Sequence, residues 1–462
     1  MEQIIQEIAS EISKNFEKEL RKLIIEGRDI SQFILATRKM LDEVGAKLVT
    51  EALESLNLGY RKSDARKRNW VIKNKADPNT LATIFGEVRY ARTYFENKKT
   101  GEFAYLSDEA VGIAVHDKMD TSLKARLIDE ASATAYKRSG EKAAETISLT
   151  SQTVMNSIRE LGAIPNDAAR MKEKNKVVKI LYIEADEDHV ALQDGKCIEP
   201  KLVYVHEGRK KIGKDRWKLE NPRYFSGVYA KSDELWVEVS DYIDEAYESE
   251  SIEKIYLSGD GASWIRNGAG WIRGSTLVLD RYHLSKYVTV ATAHMAHTTP
   301  VMWRYINQGD KSNLKELFSA IISATEIETK KKAVLESRMY ILRNWAAIRN
   351  QYEKDYFGCS AEGHISHILS ARLSSRPLGW CRTGVDQMAR LRAFKANGGN
   401  VYDLLMAKKK ADLNEARNQM IDQEIIRKRK QEKSHETIGN LTALSMGKRT
   451  WLSEYLKSVR DA

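Results

Sequence analysis

The chain has 462 residues, enough for two or three domains with a buried core in each. Its 75 lysines and arginines exceed its 65 aspartates and glutamates, and the formal net charge of +10 suits a polyanionic partner or a merely basic cytosolic protein. Three scattered cysteines exclude a disulfide framework and a cysteine-based zinc site, and no apolar run approaches the roughly 20 residues that cross a membrane. We therefore expect a cytoplasmic protein in a reducing compartment with no membrane partner.

Residues 1–60 are predicted to form an amino-terminal helical region, because apolar side chains recur there at helical spacing. Residues 61–75 follow as a basic run in which seven lysines and arginines surround a single acid. This run includes Arg66, Lys67 and Arg68, and it is typical of a solvated linker and of a nucleic-acid contact alike.

Residues 61–172 are predicted to form a DNA-binding region. Strand-forming residues flank a glycine-containing turn, and Arg89 and Arg92 on this β-hairpin are candidates to contact phosphate. A helix is expected to begin at Thr150 or Ser151, and with the helix before it this segment resembles a helix-turn-helix that enters a major groove. Two short helices joined by a turn are also common in ordinary bundles, so both interpretations stay open.

From residue 173 the pattern changes to extended runs that alternate with helices. Three strands in series, followed by helix and strand repeats, indicate a mixed α/β fold with helices packed on one sheet. The predicted divisions are the first part of a catalytic core at 173–285, a helical insertion at 286–354, the second part of the core at 355–395, and a basic helical carboxy-terminal region at 396–462.

Three carboxylates stand where a metal-dependent nucleic-acid enzyme needs them. Asp186 and Asp260 each come at the end of an apolar strand, and Glu362 opens a helix-like run. Carboxylates grouped this way hold two divalent cations, which activate an attacking oxygen and neutralise charge developing on a phosphodiester. Period-2 alternation places Glu184 and Asp188 on the same strand face as Asp186, so periodicity cannot choose among these three.

Further polar residues accompany the carboxylates. Asp280 also ends a strand, and His283 follows three residues later; this histidine either orients the aspartate or contacts a phosphate or base, or the aspartate caps a helix and the histidine packs. Arg372 and Arg376 follow Glu362 on a predicted helix that Pro377 would end, and they either face DNA or are ordinary surface charge.

Aromatic and histidine side chains each have two interpretations. Trp264 is a candidate to stack on a flipped base, although core packing is the commoner role of tryptophan. The same choice applies to three other tryptophans: Trp303, Trp345 and Trp380. His364 and His367 serve packing or phosphate contact, because the pattern supplies no further zinc ligands.

An ordered set of sequence blocks extends over roughly residues 60–395: IEADEDHVALQ, YLSGDGASWI, LDRYHL, and AEGHISHILSARLSSRPLGW followed by MARLR. This set is similar to the blocks of the ISLre-type family of bacterial insertion-sequence transposases. The upstream segment TLATIFGEVRYARTYFENKKTGEFAYLSDEAVGI is similar to the amino-terminal region of that family. The ordered set is far more specific than any one block.

The resemblance implies a ribonuclease H-like catalytic core with an all-helical insertion and an Asp-Asp-Glu triad, carried onto Asp186, Asp260 and Glu362. It also implies that Asp280 and His283 form the Asp-x-x-His element shared with Mutator-type transposases. Two Mg²⁺ ions per active site, replaceable by Mn²⁺, are the implied cofactors. A glycine usually follows the first aspartate in this family, whereas this chain has Glu187, which leaves Asp188 open as the first metal ligand.

The implied function is Mg²⁺-dependent cleavage and strand transfer of double-stranded DNA at the ends of an insertion sequence. A homodimer or larger assembly on DNA is expected because two ends must be paired, and the protein would be associated with the nucleoid. Two alternatives are a ribonuclease H-like nuclease that cuts without joining and a DNA-binding regulator whose acidic residues are structural. Three carboxylates are difficult to bury together without a cation, which argues against the regulator.

Overall fold

The computed structural model describes residues 2–412, except 145, 172, 215, 377 and 378, together with residue 454. It is a mixed α/β molecule built around one five-stranded sheet, as the sequence predicts. Within that part of the chain, no helix combines the length and the apolar character needed to cross a membrane.

The amino-terminal region consists of two long helices that lead into a β-hairpin. Its elements are α1 (Glu2–Ile24), α2 (Ile30–Lys62), α3 (Asp64–Asn69), β1 (Trp70–Thr83), β2 (Gly86–Asn97) and β3 (Phe103–Ala104). The predicted helices before residue 60 are confirmed, but the linker interpretation of residues 61–75 is wrong. That run contains the end of α2, all of α3 and the start of β1, because Ser63 caps α3 and Trp70 pairs with Asn97 across the hairpin.

Four helices follow the hairpin: α4 (Leu106–Ala110), α5 (Thr121–Ala133), α6 (Tyr136–Lys142) and α7 (Ser151–Leu161). The predicted start of α7 is confirmed, because the Thr150 side chain accepts a hydrogen bond from the Thr153 amide at 3.1 Å. The connection between α6 and α7 covers residues 143–150, which is longer than the three or four residues typical of a helix-turn-helix.

The central part of the chain forms the sheet and the two helices on one of its faces. Its elements are β4 (Ile180–Glu187), β5 (Val190–Ala191), β6 (Cys197–Ile198), β7 (Lys201–His206), β8 (Gly208–Lys211), β9 (Trp217–Glu220), β10 (Arg223–Gly227), α8 (Ser232–Ala246), β11 (Lys254–Gly259), α9 (Ser263–Trp271) and β12 (Ser275–Leu279). The strand order is β10-β7-β4-β11-β12. Strands β4, β11 and β12 run parallel, whereas β7 is antiparallel to both β4 and β10.

Five helices follow the last strand, and the predicted helical segment at 286–354 is confirmed. They are α10 (Arg281–Thr292), α11 (Thr299–Gln308), α12 (Lys311–Ala324), α13 (Glu328–Arg343) and α14 (Trp345–Arg349). Their apolar side chains form a separate core around Phe318 and Ile341, both fully buried. Short 3₁₀ turns follow α8, α10 and α14 at Ser249–Ser251, Ala296–Thr298 and Asn350–Tyr352.

The chain then returns to the sheet with α15 (Ala361–Ile365), a π-helical turn (Ser366–Ser370), α16 (Ala371–Leu373) and α17 (Arg382–Ala396). Residues 401–412 are also helical. Two features predicted from the sequence, Pro377 and the basic run at 427–430, lie outside the described residues.

The two faces of the sheet pack against different partners, as expected for strands whose side chains alternate between faces. Leu181, Ile183 and Ala185 of β4 face α8 and α9. On the opposite face, Tyr204 of β7 and Tyr224 of β10 share one core with side chains from α5, α7, α16 and α17. This second face is the one that receives the helix carrying Glu362.

Candidate metal centre at the sheet edge

Three parallel strands bring their carboxyl ends to one edge of the sheet. Asp186 is the last residue but one of β4, Asp260 comes directly after β11, and Asp280 comes directly after β12. The Asp280 amide donates a hydrogen bond to the Gly259 carbonyl at 2.7 Å, which ties the ends of β11 and β12 together. Parallel pairing of these strands therefore brings the three aspartates to one edge of the sheet although they are far apart in the chain.

Asp186 lies at the centre of this group and is 8% exposed. Burial raises the pKa of its carboxyl from the ordinary value of 3.8 to about 7, and the negative charges of Asp260 and Glu362 act in the same direction. The Glu187 amide, which donates to Asp186 Oδ1 at 2.8 Å, and the charge of His283 oppose that rise. Asp186, Asp260, Glu362 and His283 thus share one electrostatic environment.

The structure distinguishes the three acidic residues that share a face of β4. Glu184 is 2% exposed and is saturated with hydrogen-bond donors from neighbouring elements. Asp188 lies beyond the strand and accepts a hydrogen bond from the Ser374 hydroxyl at 2.8 Å through Oδ1, while its buried Oδ2 has no partner. The Asp186 carboxyl is raised in pKa mainly by burial, and the charges of Asp260 and Glu362 also act on it, which favours Asp186 over Asp188 as the first ligand.

Glu184 positions the helix that carries Glu362. Its Oε2 accepts hydrogen bonds from the Ser360 amide at 2.6 Å and from the Ser360 hydroxyl at 3.0 Å, immediately before α15 begins. Burial opposes ionisation of Glu184, but hydrogen bonds from His206, Tyr204 and Ser360 outweigh burial and hold the pKa of this carboxyl below its usual range. The same strand therefore supplies Asp186 and fixes the start of the helix that presents Glu362, whose side chain is exposed.

Asp280 and His283 form a direct pair. Asp280 caps α10 by accepting from the Tyr282 amide at 3.1 Å, and its second oxygen accepts from His283 Nδ1 at 3.1 Å. This hydrogen bond is the main cause that raises the pKa of His283, and the charges of Asp186 and Asp260 add to it. The protonated, positively charged form of His283 is therefore favoured beside the carboxylates, and the helix-cap interpretation of Asp280 is confirmed.

The helical segment contacts the loop that carries Asp260. The Tyr340 hydroxyl of α13 donates to the Asp260 carbonyl, and the Tyr340 ring stacks on Tyr287 of α10 at a centroid distance of 3.7 Å. Gly261 has a φ of +82°, and a Cβ atom there would lie 2.8 Å from Asn344 Oδ1. Glycine is required at this position by the backbone conformation and by the close approach of Asn344.

The donor set fits divalent cations that prefer oxygen ligands. A buried carboxyl whose pKa two neighbouring carboxylates help to raise is the electrostatic signature of a site that a cation would relieve. Among the described residues, one group of three His, Cys, Asp or Glu side chains has ligand atoms that all lie within 4.8 Å of one another. This group is Glu187, His189 and Glu199, at the surface. Asp186, Asp260 and Glu362 are not such a group, so at least one pair of their ligand oxygens is more than 4.8 Å apart.

Several predicted DNA contacts are structural instead. Arg372 is 5% exposed, donates to the Ala131 carbonyl at 2.9 Å and lies over the Tyr136 and Trp380 rings, so it cannot reach DNA. The helix containing it ends at Leu373, so no continued helix carries Arg376 beside it. The prediction failed because α5 packs against this helix, a contact that local sequence does not encode.

Arg92 and Trp264 are also buried. Arg92 bonds to Asp108 at 2.9 Å and stacks on the Tyr105 ring, so it holds the hairpin against α4 and is not a phosphate contact. Trp264 is 8% exposed and packs on Trp236, which confirms core packing over base stacking. The three other tryptophans that were candidates for base stacking also pack into cores: Trp303, Trp345 and Trp380.

The other predicted contacts divide into two groups. The Arg66 guanidinium bonds to the backbone of Arg61 and Trp70, and His364 bonds to the Tyr224 hydroxyl at 3.0 Å, so both have structural partners. Burial lowers the pKa of His364, which favours a neutral packing role. Five of the predicted contacts remain exposed: Lys67, Arg68, Arg89, His367 and Arg376. Of these, Lys67 pairs with Asp64 and Arg89 pairs with Glu87.

Sequence analysis missed three arginines beside Asp260. Arg266 lies on α9, and Arg338 and Arg343 lie on α13, about 80 residues further along the chain. All three line a cleft that Asp260 also lines. No local pattern distinguishes Arg338 and Arg343 from ordinary surface charge, because only the docking of α13 brings them to the sheet edge.

The chain matches the model of a family described as "Uncharacterised protein family (UPF0236)" over residues 5–410. It is 40% identical over 443 residues to UPF0236 protein TTE2489 of Caldanaerobacter subterraneus subsp. tengcongensis, with 95% of each chain covered. The protein of the same organism named UPF0236 protein TTE0610/TTE0881/TTE1053/TTE2432 is 39% identical over 466 residues, which cover 99% of this chain and 98% of the relative. The UPF0236 protein in vanSb 3'region of Streptococcus gallolyticus is 25% identical over 395 residues, 82% of this chain and 86% of the relative. The chain therefore belongs to the uncharacterised protein family UPF0236.

Proposed function

We propose that this protein is a DDE transposase of an insertion sequence, which cleaves DNA at the element ends and joins the liberated 3′-OH to target DNA. The observation that carries the proposal is the convergence of Asp186, Asp260 and Glu362 from β4, β11 and α15 into one electrostatic environment at the carboxyl edge of the sheet. Clustered carboxylates of this kind are expected where a protein holds cations for phosphoryl transfer.

The topology supports a ribonuclease H-like core. Three strands in series, β4, β7 and β10, are antiparallel, and β11 and β12 then add in parallel on the other side of β4. The first two proposed ligands lie on the adjacent strands β4 and β11, and the helical segment enters after β12, before the helix of the third ligand. The helical segment between Asp280 and Glu362 is what the ISLre-type resemblance implies.

In the proposed mechanism Asp186, Asp260 and Glu362 would hold two Mg²⁺ ions, for which Mn²⁺ would substitute. When bound, the ions supply activation of the attacking oxygen and neutralisation of the charge on the phosphodiester. Asp280 orients the His283 ring through Nδ1, and Nε2 of that ring makes no hydrogen bond to any described residue. His283 would therefore place a positive charge and a donor beside the phosphate.

Several surfaces support a DNA partner. The β8–β9 hairpin carries exposed basic side chains and an exposed tryptophan, namely Lys210, Lys211, Lys214, Arg216, Lys218 and Trp217. Helix α7 exposes Gln152, Asn156 and Arg159 along one face, and these are the residue types that read base edges. Basic charge with exposed aromatic and amide groups is expected of a nucleic-acid surface.

The relatives add a further observation. The name of one relative from Caldanaerobacter subterraneus joins four designations, TTE0610, TTE0881, TTE1053 and TTE2432. A name of this kind is expected if the same protein is encoded at several places in one genome, and transposition produces such copies. We propose the same mobile character for the gene of this chain, with the protein acting on the nucleoid.

The test uses the full-length protein and the DNA that flanks its coding region, which would contain the element ends. We expect Asp260→Asn and Glu362→Gln each to reduce Mg²⁺-dependent nicking by about 10³-fold or more, because several kcal/mol of charge stabilisation is lost. Asp244→Asn is the control, since it removes an exposed carboxylate from α8, away from the sheet edge. Nicking by either triad variant at the wild-type rate would overturn the assignment.

A second assay separates the transposase from its alternatives. With pre-cleaved ends, a transposase joins the 3′-OH to target DNA, whereas a nuclease leaves the ends unjoined. Cleavage without joining would indicate a ribonuclease H-like nuclease, and binding without cleavage would indicate a DNA-binding regulator. A footprint on two ends held by one complex would support the expected homodimer or larger assembly.

A further inference from the structure

We propose that the cleft between the Asp260 loop and α13 binds the phosphodiester backbone of the substrate DNA strand through Arg338 and Arg343. The cleft has a volume of about 860 Å³, within the range of about 300–1,000 Å³ that accommodates a ligand the size of a nucleotide. It is lined on one side by Asp260, Gly261 and Arg266, and on the other by α13. The inference rests on the proposed function, because it assigns DNA as the occupant.

The three arginines of the cleft form no salt bridge with any described residue, and Asp260 is the one carboxylate among the residues that line it. Within the described ranges, Arg266, Arg338 and Arg343 have no carboxylate within 4.0 Å, although salt bridges are common elsewhere on the surface. Burial lowers the pKa of Arg266, and the positive charge of Arg343 lowers it further. Three guanidinium groups held together without a direct ion pair are expected where an anion binds.

Arg266 supplies an independent sign of a missing partner. Its Nη2 donates to the Gly261 carbonyl at 2.6 Å, which holds the side chain in place at the base of the cleft. Its Nε is buried and makes no hydrogen bond. A buried donor of this kind normally has a partner, and a phosphate oxygen would satisfy it.

The remaining lining suits a nucleotide better than a free inorganic anion. Met339 is 64% exposed and Leu335 is 39% exposed, and both line the cleft beside the arginines. Exposed apolar side chains next to guanidinium groups match the chemistry of a DNA strand, in which sugars and bases alternate with phosphates.

The cleft is directly connected to the proposed metal centre. Tyr340 donates to the Asp260 carbonyl from the same helix turn that carries Arg338 and Arg343, and Asn344 is in contact with Gly261. A strand bound to Arg338 and Arg343 would therefore be positioned relative to Asp260 by two fixed contacts. These arginines are positioning residues in the proposed reaction.

The experiment measures DNA binding by the full-length protein in the absence of divalent metal. A short fluorescent duplex of arbitrary sequence is titrated at several salt concentrations with wild type and with Arg338→Ala/Arg343→Ala. We expect the double variant to bind about 10- to 100-fold more weakly, and the slope of log K against log salt to fall by about 2, near one per lost phosphate contact. Lys330→Ala/Lys332→Ala removes two exposed charges from the same helix outside the cleft and should change affinity by less than about 3-fold.

A conservative variant guards against misfolding. Arg338→Lys/Arg343→Lys keeps both charges but loses the planar, two-pronged guanidinium, and it should weaken binding by about 3- to 10-fold. The cleft assignment would be overturned if Arg338→Ala/Arg343→Ala and Lys330→Ala/Lys332→Ala lost equal DNA affinity. It would also be overturned if Arg338→Ala/Arg343→Ala bound the duplex as tightly as wild type. Failure of the proposed function would give a different result. Wild type would then not bind the duplex at all, or Asp260→Asn would still nick the element ends while the arginine variants remained defective in binding.

Discussion

At the scale of single residues, Asp186 shows how the site is organised electrostatically. A carboxyl that is buried beside two other carboxylates is more easily protonated than an exposed one, which is why its pKa rises to about 7. The folded chain therefore favours the protonated form of Asp186, and ionisation destabilises the fold unless a cation is bound. Glu184, two residues earlier on the same face, is ionised instead because hydrogen bonds surround it.

We predict that Asp186→Asn stabilises the metal-free protein in a pH-dependent way. The pKa of Asp186 is raised in the fold, so the stability associated with its protonated form is present below about pH 3.8 and is lost as the pH rises through about 7. The variant should match wild type near pH 4 and exceed its free energy of unfolding by about 2–4 kcal/mol near pH 8. Denaturant unfolding at the two pH values measures this difference.

Near pH 8, Mg²⁺ should reverse the order of stability of wild type and Asp186→Asn. Mg²⁺ would raise the melting temperature of wild type near pH 8 and leave that of Asp186→Asn almost unchanged, because the variant lacks a ligand. Asp188→Asn is the matched control, since this carboxylate follows β4 on the same face but bonds to Ser374. Equal stability of wild type and Asp186→Asn near pH 8 would contradict the electrostatic account of the site.

At the scale of elements, the site depends on how neighbouring segments dock at the sheet edge. Parallel pairing aligns the ends of β4, β11 and β12, Glu184 fixes the start of α15, and Tyr340 and Asn344 of the helical segment hold the Asp260 loop. At Gly261 the loop approaches Asn344 so closely that an added Cβ atom would lie 2.8 Å from the Asn344 Oδ1 atom. A small change there should disturb the whole edge.

We predict that Gly261→Ala destabilises the protein by about 1–3 kcal/mol and reduces DNA cleavage, because alanine disfavours a φ of +82° and its Cβ would push against Asn344. Gly270→Ala is the control. Gly270 lies on α9 with no atom within 4 Å of an added Cβ, so alanine there should be neutral or stabilise by up to about 1 kcal/mol. Thermal unfolding measures both changes, and equal stability of the two variants would show that the loop tolerates movement.

At the scale of the whole molecule, the amino-terminal and carboxy-terminal parts of the chain share a core. Side chains of α5 and α7 pack with α16 and α17 on one face of the sheet, and Arg392 donates to the Ser132 carbonyl across this contact. Residues 121–161 therefore stabilise the sheet, and they also include α7 with its exposed face. The hairpin of β1 and β2 packs mainly on α2 instead.

We predict that a chain lacking residues 1–119 folds cooperatively, whereas a chain lacking residues 1–170 does not. The longer deletion removes eleven of the buried residues described in the shared core, and we count five of the larger side chains among them: Leu123, Leu127, Ile128, Val154 and Ile158. At about 2 kcal/mol each their burial contributes about 10 kcal/mol, comparable with the net stability of a domain of about 5–15 kcal/mol. Circular dichroism during heating distinguishes the two, and a single sharp transition after the longer deletion would contradict the shared core.

Local sequence determined the elements that carry the proposed chemistry. Alternating and continuous apolar runs predicted the five strands of the sheet and the helix between them, and the Asp186, Asp260 and Glu362 positions followed from where those runs end or begin. Such patterns are reliable because burial of one face imposes a fixed period on the chain. The start of α7 at Thr150 was also predictable, since a cap is a contact between near neighbours.

Only the tertiary structure decided which polar residues lie at the proposed site and which lie in the core. Arg372, Arg92 and Trp264 are of the types that contact DNA, yet distant elements enclose them, while Arg338 and Arg343 reach the Asp260 cleft although nothing near them in the sequence indicates it. Periodicity cannot separate Asp186 from Glu184 and Asp188, because the three share one strand face. The tertiary structure separates them, since Tyr204 and Ser360 bond to Glu184 and Ser374 bonds to Asp188. Periodicity encodes the face of a strand, whereas burial and charge depend on segments far away in the chain.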